Sequence, residues 1–304
     1  MLVCLFFLCL AKCAFCLQDE VSQPAHSCGV MTKSAGISQG GYESQREAFP
    51  WVANIFSKYL GATLYAGSGS LISDRHILCA ANSVAYENYL GDSLDLNPDK
   101  SYIPYDGENI KIILGTSHYK NSMNESGALV IDSTLKVILH PKVAGTKPRT
   151  FNVALIFLKE SVQFSKYISP VCLWSSVKNQ DDILGKTVYA VGFGVDHTGV
   201  ISGFKKQVAM VVLENKICQR FYANTLQKTK DSKFFCARGN GIETPCRYDK
   251  PLYIKIGDQW FLQAMSSTFK VFKTRACRPR APVLYEDVST LTSWVESEIG
   301  ENDL

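Results

Sequence analysis

The sequence predicts an all-β protein closed by one C-terminal helix. Short runs rich in Val, Ile, Leu, Phe and Tyr recur along the chain, and clusters of Gly, Asn, Asp, Ser and Lys separate them. The end differs: Val288, Leu291, Thr292, Val295 and Ile299 recur at helical spacing. With 304 residues, 46% of them apolar, the chain can bury one sizeable core or two small ones.

The runs place strands, in order, at 51–56, 63–72, 76–81, 110–114, 128–137, 152–158, 187–192, 207–213, 252–256, 260–266 and 283–287. Ser289 is the expected cap of the closing helix. The chain shows no fixed-period repeat and no low-complexity tract.

Ahead of these elements, residues 1–16 form a short apolar run with small residues near its end, and the charged stretch Leu17-Gln18-Asp19-Glu20 follows. This reads as a cleaved secretory signal. A membrane anchor needs about 18–20 continuous apolar residues, and Lys12 interrupts this run. No later segment is apolar for long enough to span a bilayer. Four of the eleven cysteines lie in 1–16, leaving Cys28, Cys79, Cys172, Cys218, Cys236, Cys246 and Cys277. In an exported chain such spacing points to disulfides, with connectivity left open by the sequence. Cys79, on the strand leading to Ala80-Ala81, is expected as a buried apolar thiol. The formal charge of +4 is too small to imply nucleic-acid binding.

Three stretches carry the functional signal. Gly67-Ser68-Gly69-Ser70-Leu71-Ile72 precedes Ile77-Leu78-Cys79-Ala80-Ala81-Asn82-Ser83; further on come Phe151-Asn152-Val153-Ala154-Leu155-Ile156 and Cys246-Arg247-Tyr248-Asp249-Lys250-Pro251. In order and spacing they resemble the catalytic segments of trypsin-like (chymotrypsin-like) serine proteases. Pro50-Trp51, Ser169-Pro170-Val171-Cys172-Leu173, Gly192-Phe193-Gly194 and Trp294 extend the likeness over about 38–300. Against the family pattern Asn82 stands at the general-base histidine and Asn152 at the aspartate that orients it. Lys250 falls on the nucleophile, with two glycines beside it deleted, and Tyr248 stands at an oxyanion-hole glycine.

The resemblance implies two packed antiparallel β-barrels, 38–165 and 166–304, the second carrying the C-terminal helix, with the site in the cleft between them. It implies a leader, 17–37, tethered by Cys28–Cys172, and further pairs Cys218–Cys236 and Cys246–Cys277. One cysteine in that leader is too few for the disulfide-knotted clip domain that some relatives carry. The former specificity pocket would be lined by Thr244, Ser267, Thr268 and Val283, the branched Val283 partly filling it.

The chemistry these substitutions allow is narrow. Acyl transfer needs a hydroxyl, a base and a carboxylate that fixes the base's tautomer, and an asparagine amide is no base near neutral pH. Lys250 is expected to be a solvated surface lysine. The five histidines, His26, His76, His118, His140 and His197, show no metal-ligand spacing, so neither a metal nor a cofactor is expected. Gly192-Phe193-Gly194 lacks the third glycine of a dinucleotide fingerprint. Lys270, Lys273, Arg275, Arg278 and Arg280 place five cations in eleven residues, a candidate surface for an anionic glycan or acidic partner. The insertion 86–108 carries six acids, Glu87, Asp92, Asp95, Asp99, Asp106 and Glu108, and Asn124-Glu125-Ser126 fits a glycan acceptor.

The expectation is therefore a secreted, catalytically inactive serine protease homologue. It would bind or regulate an extracellular protein, an active protease or its substrate, in a proteolytic or immune cascade. A hydrolase with relocated residues, or a binder of anionic surfaces through 270–280, are the alternatives.

Overall fold

The computed structural model describes residues 27–32, 43–88, 101–118, 125–143, 151–173, 183–193, 203–226, 233–239, 250–268 and 281–302. Its strands fall into two sheets and a small hairpin. The first sheet contains β1 (Val52–Tyr59), β2 (Ala62–Leu71), β3 (His76–Cys79), β6 (Ile110–Leu114), β7 (Leu129–Ile131), β8 (Lys136–Leu139) and β9 (Ala154–Phe157), ordered β7-β6-β1-β2-β3-β9-β8. β4 (Ala85–Asn88) and β5 (Ser101–Pro104) pair only with each other.

The second sheet runs β10 (Cys172–Leu173), β15 (Gln259–Thr268), β14 (Pro251–Ile256), β11 (Thr187–Gly192), β12 (Lys206–Val212), β13 (Phe234–Gly239) and β16 (Val283–Asp287). Pairing of β15 with β16 closes six of these strands into a barrel. The first sheet is a curled half-barrel. Among the described residues there are two α-helices, α1 (Asn215–Leu226) and α2 (Thr292–Asn302).

Most strand expectations hold to within a few residues, because β-branched and aromatic side chains fill two sheet faces. Four corrections have physical causes. The run 128–137 is two strands, β7 and β8, because the turn through Asp132-Ser133-Thr134-Leu135 folds back onto Gly107, whose carbonyl accepts the Thr134 N–H. The strand expected at 76–81 ends at Cys79, and Ala81–Ser83 forms a 3-10 turn. The turn before α2 is capped by Asp287, not Ser289: its carboxylate accepts the Ser289 N–H at 2.9 Å. The sequence reading also missed β4, β5, β10, β13 and α1.

One hydrophobic cluster spans the seam between the sheets. Trp51 and Phe49 meet Tyr189, Tyr253 and Trp260, with ring centroids 5.0–6.3 Å apart. A hydrogen bond between Ser70 Oγ and the Tyr253 hydroxyl (2.8 Å) crosses the same seam from β2 to β14. Val288, Leu291 and Val295 belong to this cluster too. Helix α2 therefore follows the closed barrel in sequence yet packs on the core shared with the first sheet.

The segment 27–32 is docked by disulfide Cys28–Cys172 and by backbone bonds on both sides of Gly29, its N–H donating to Pro170 O and its carbonyl accepting from Trp260 N, each at 2.8 Å. Gly29 sits at φ +70, and a Cβ there would lie 2.2 Å from the Trp260 carbonyl. Gly29→Ala is expected to lower stability by about 2–3 kcal/mol, read as a lower urea midpoint with an unchanged slope. The disulfide Cys218–Cys236 joins α1 to β13. Cys246 and Cys277 lie outside the described residues.

Candidate functional site

Antiparallel pairing of β3 with β9 matches Cys79 to Ala154, so the loops leaving these strands at 82 and 152 emerge side by side. Small, fully buried Ala80 and Ala81 let the 3-10 turn approach closely, and Ala81 N–H donates to Asn152 O at 3.2 Å. Two further bonds join the side chains' loops. Asn152 Nδ2 donates to Asn82 Oδ1 at 2.6 Å, and the Asn82 backbone N–H donates to Asn152 Oδ1 at 3.2 Å.

The backbone of this loop is held from the other sheet. Glu286, on β16 and only 1% exposed, accepts the Phe151 N–H through Oε1 (2.7 Å) and the Asn152 N–H through Oε2 (3.1 Å). Both oxygens thus grip a tight turn in which Phe151 adopts φ +51 and Val153 N–H donates to Phe151 O. The sequence reading passed over Glu286. The available signal was the pair of adjacent acids, Glu286-Asp287, ending an apolar strand; both are buried.

Lys250 corrects an expectation: it is 2% exposed, not a surface lysine. Its backbone N–H donates to Ser266 Oγ at 3.1 Å. Its stem passes Gly192, where a Cβ would lie 3.7 Å from Lys250 Cγ and 2.4 Å from Ser68 Oγ. Gly192, at φ +147, makes room for both side chains at the seam. Val283 is buried in the core of the closed barrel among Ala190, Val208, Phe235 and Leu252. Ser267 and Thr268 lie on β15, where the register with β16 shifts between Ser266 and Thr268.

Thr244, Tyr248, Lys270, Lys273, Arg275, Arg278, Arg280 and Asn124 lie outside the described residues, as do Asp92, Asp95 and Asp99 of the acidic insertion. Of the other acids in that insertion, Asp106 caps the 3-10 turn at Gly107–Asn109, and Glu108 pairs with Lys159 at 2.9 Å. Cys79 is a fully buried thiol on β3, as a small apolar residue would be.

Three histidines are described. His140 stacks on Phe151 at 4.5 Å and meets Trp294 edge-on at 4.9 Å. Burial, with Lys142 adding to it, pushes its imidazole down to about 4, and its Nδ1 accepts the Lys142 N–H. His76 Nδ1 lies 2.6 Å from Ser73 Oγ, at the end of β3 remote from Asn82. His118 Nδ1 lies 3.0 Å from Ser117 Oγ, but Glu125 bonds that hydroxyl itself at 2.9 Å. The carboxylate there engages the hydroxyl directly and does not bond the far side of the imidazole, as a relay would need. Among the described residues no cluster of three His, Cys, Asp or Glu could hold a metal ion, and no helix is long and apolar enough to cross a membrane.

A curled sheet and a closed six-stranded barrel, sealed by an aromatic seam beside which the 82 and 152 loops meet, define a chymotrypsin-like double barrel with a C-terminal helix. The family model described as Trypsin matches residues 38–295, and the chain belongs to that family. It is similar to Phenoloxidase-activating factor 1 of Holotrichia diomphalia, 28% identical over 90% of this chain and 73% of that protein. Phenoloxidase-activating factor 3 of the same organism is 26% identical, over 86% and 72% respectively. Melanization protease 1 of Drosophila melanogaster is 27% identical over 86% of this chain and 65% of its own length.

Proposed function

We propose that this chain is a secreted, catalytically inert member of the trypsin family that works by binding, as a regulator in an extracellular proteolytic cascade of the phenoloxidase-activating, melanization kind. The observation that carries the reading is the Asn82–Asn152 amide pair. By family resemblance these are the base and carboxylate positions, with Lys250 at the nucleophile and Tyr248 at the oxyanion hole. An amide takes no proton from a hydroxyl near pH 7. Loss of base or nucleophile alone removes on the order of a millionfold in turnover, roughly 8 kcal/mol of transition-state stabilisation.

The names of the relatives support the cascade, and the two disulfides among the described residues suit an oxidising compartment. The partner is an extracellular protein, an active protease or its substrate, met by loops on the double barrel. The basic run 270–280 suits an acidic surface or an anionic glycan on that partner.

The test is labelling of the full chain with a serine-directed fluorophosphonate, alongside turnover of general ester and peptide substrates. We expect neither saturable labelling nor turnover above the uncatalysed rate. Saturable labelling that maps to Ser73 or Ser117, the two hydroxyls beside an imidazole among the described residues, would replace this reading with that of a hydrolase using relocated residues.

A further inference from the structure

We infer that Glu286 is the positioning residue of the Asn82–Asn152 pair and that its carboxylate bars an aspartate from position 152. The inference stands on the geometry of Glu286; only its meaning for catalysis rests on the reading proposed above.

Glu286 reaches from β16 across to the loop before β9, 134 residues away in sequence, and places one oxygen on each of two successive backbone N–H groups, at 2.7 and 3.1 Å. Hydrogen bonds from two backbone N–H groups favour the charged form of a carboxyl and oppose the cost of burying it. Glu286 also holds Phe151 in the left-handed region, where a bulky residue stays only if its surroundings fix it. With the backbone so held, the Asn152 side chain points at Asn82 and meets it as donor and acceptor at once.

An amide at 152 fits beside Glu286 because it is neutral. A carboxylate there would belong to the residue whose own N–H already bonds Glu286 Oε2, and like charges sharing a site raise one another's pKa. It would also turn an oxygen toward Asn82 Oδ1 where Asn152 now donates. Reintroducing the catalytic triad therefore requires releasing Glu286 as well as replacing Asn82, Asn152 and Lys250, and the inert state is held by a residue outside the triad.

The experiment measures Tm of the full chain and of Asn152→Asp, Glu286→Gln and the double variant at pH 4 and pH 7.5. A carboxyl whose pKa is raised in the folded state binds protons more tightly folded than unfolded, so its contribution to stability falls as pH rises past about 4. The Tm deficit of Asn152→Asp against the unsubstituted chain is thus expected to widen by about 4 °C or more from pH 4 to pH 7.5. In the Glu286→Gln background at least half of that widening should vanish, whereas a merely structural role for Glu286 would leave it unaltered. A deficit equal at both pH values, or a widening that survives Glu286→Gln, overturns the inference. Should Glu286→Gln fail to fold, Glu286→Thr takes its place, judged by the same loss of the widening. Fluorophosphonate labelling of the unsubstituted chain would overturn the proposed function while leaving this coupling intact.

Discussion

Replacing Lys205 with methionine is expected to flatten the pH dependence of stability between pH 7 and pH 10. Lys205 is 2% exposed, in the segment that bridges His118 to Phe204 on one side and Glu43 to Lys206 on the other. Its Nζ donates to the carbonyls of Ala48 (2.7 Å) and Arg46 (3.2 Å), pinning the chain that leads into β1. Burial pushes its pKa down to about 7, Glu125 opposing and Arg46 adding to the effect. Glu125 is itself raised by burial, but hydrogen bonds from Thr116 and Ser117 and the charge of Arg46 hold it below its ordinary value.

With an unfolded value near 10.5, the folded lysine loses its proton first. Between pH 7 and about 10.5 the unfolded chain binds the extra proton, so stability rises with pH there and levels off below 7, where both states are charged. The full span is on the order of 5 kcal/mol. Lys205→Met removes this slope. It also leaves the two carbonyls without this donor, at a loss of about 1–3 kcal/mol. Denaturant unfolding at pH 6, 7.5 and 9 measures both effects, and a slope unchanged by the substitution would show that Lys205 titrates in its ordinary range.

Trp260→Ala is expected to lower stability by about 3–5 kcal/mol. The ring is buried and meets Phe49 at 5.0 Å, Tyr189 at 5.5 Å and Trp51 at 6.3 Å. Phe49 and Trp51 precede β1, whereas Tyr189 and Trp260 stand on β11 and β15, so the cavity opens at the seam itself. The loss should exceed that of an equal truncation inside one sheet. Phe235→Ala, fully buried inside the closed barrel, supplies the comparison, at about 3 kcal/mol. Equal losses in urea unfolding would show that the seam adds nothing to the cooperativity of the two halves.

Much of the fold was legible because alternation and β-branched runs are local signals. The strands at 110–114, 187–192 and 283–287 have the expected bounds. Helix α1 was not read from the sequence: the helical path of Asn215–Leu226 is broken by non-helical dihedrals at Tyr222. It is held by Cys218–Cys236 and by the Tyr222 hydroxyl donating to Pro282 O at 2.6 Å, contacts made far along the chain. The site divided in the same way. Asn82 and Asn152 could be picked from short motifs, and the structure joins their side chains. Glu286 could not, since its partners lie 134 and 135 residues away.

By itself the sequence determined the β class, the order of most strands and which residue types occupy the motif positions, because each depends on a few neighbours in the chain. Only the tertiary structure decided that Lys250 is buried, that α2 packs on the shared core, and that a glutamate from the closed barrel grips the loop at 152. Burial and hydrogen-bond partnership belong to pairs of distant segments, and a local pattern cannot encode which segments will meet.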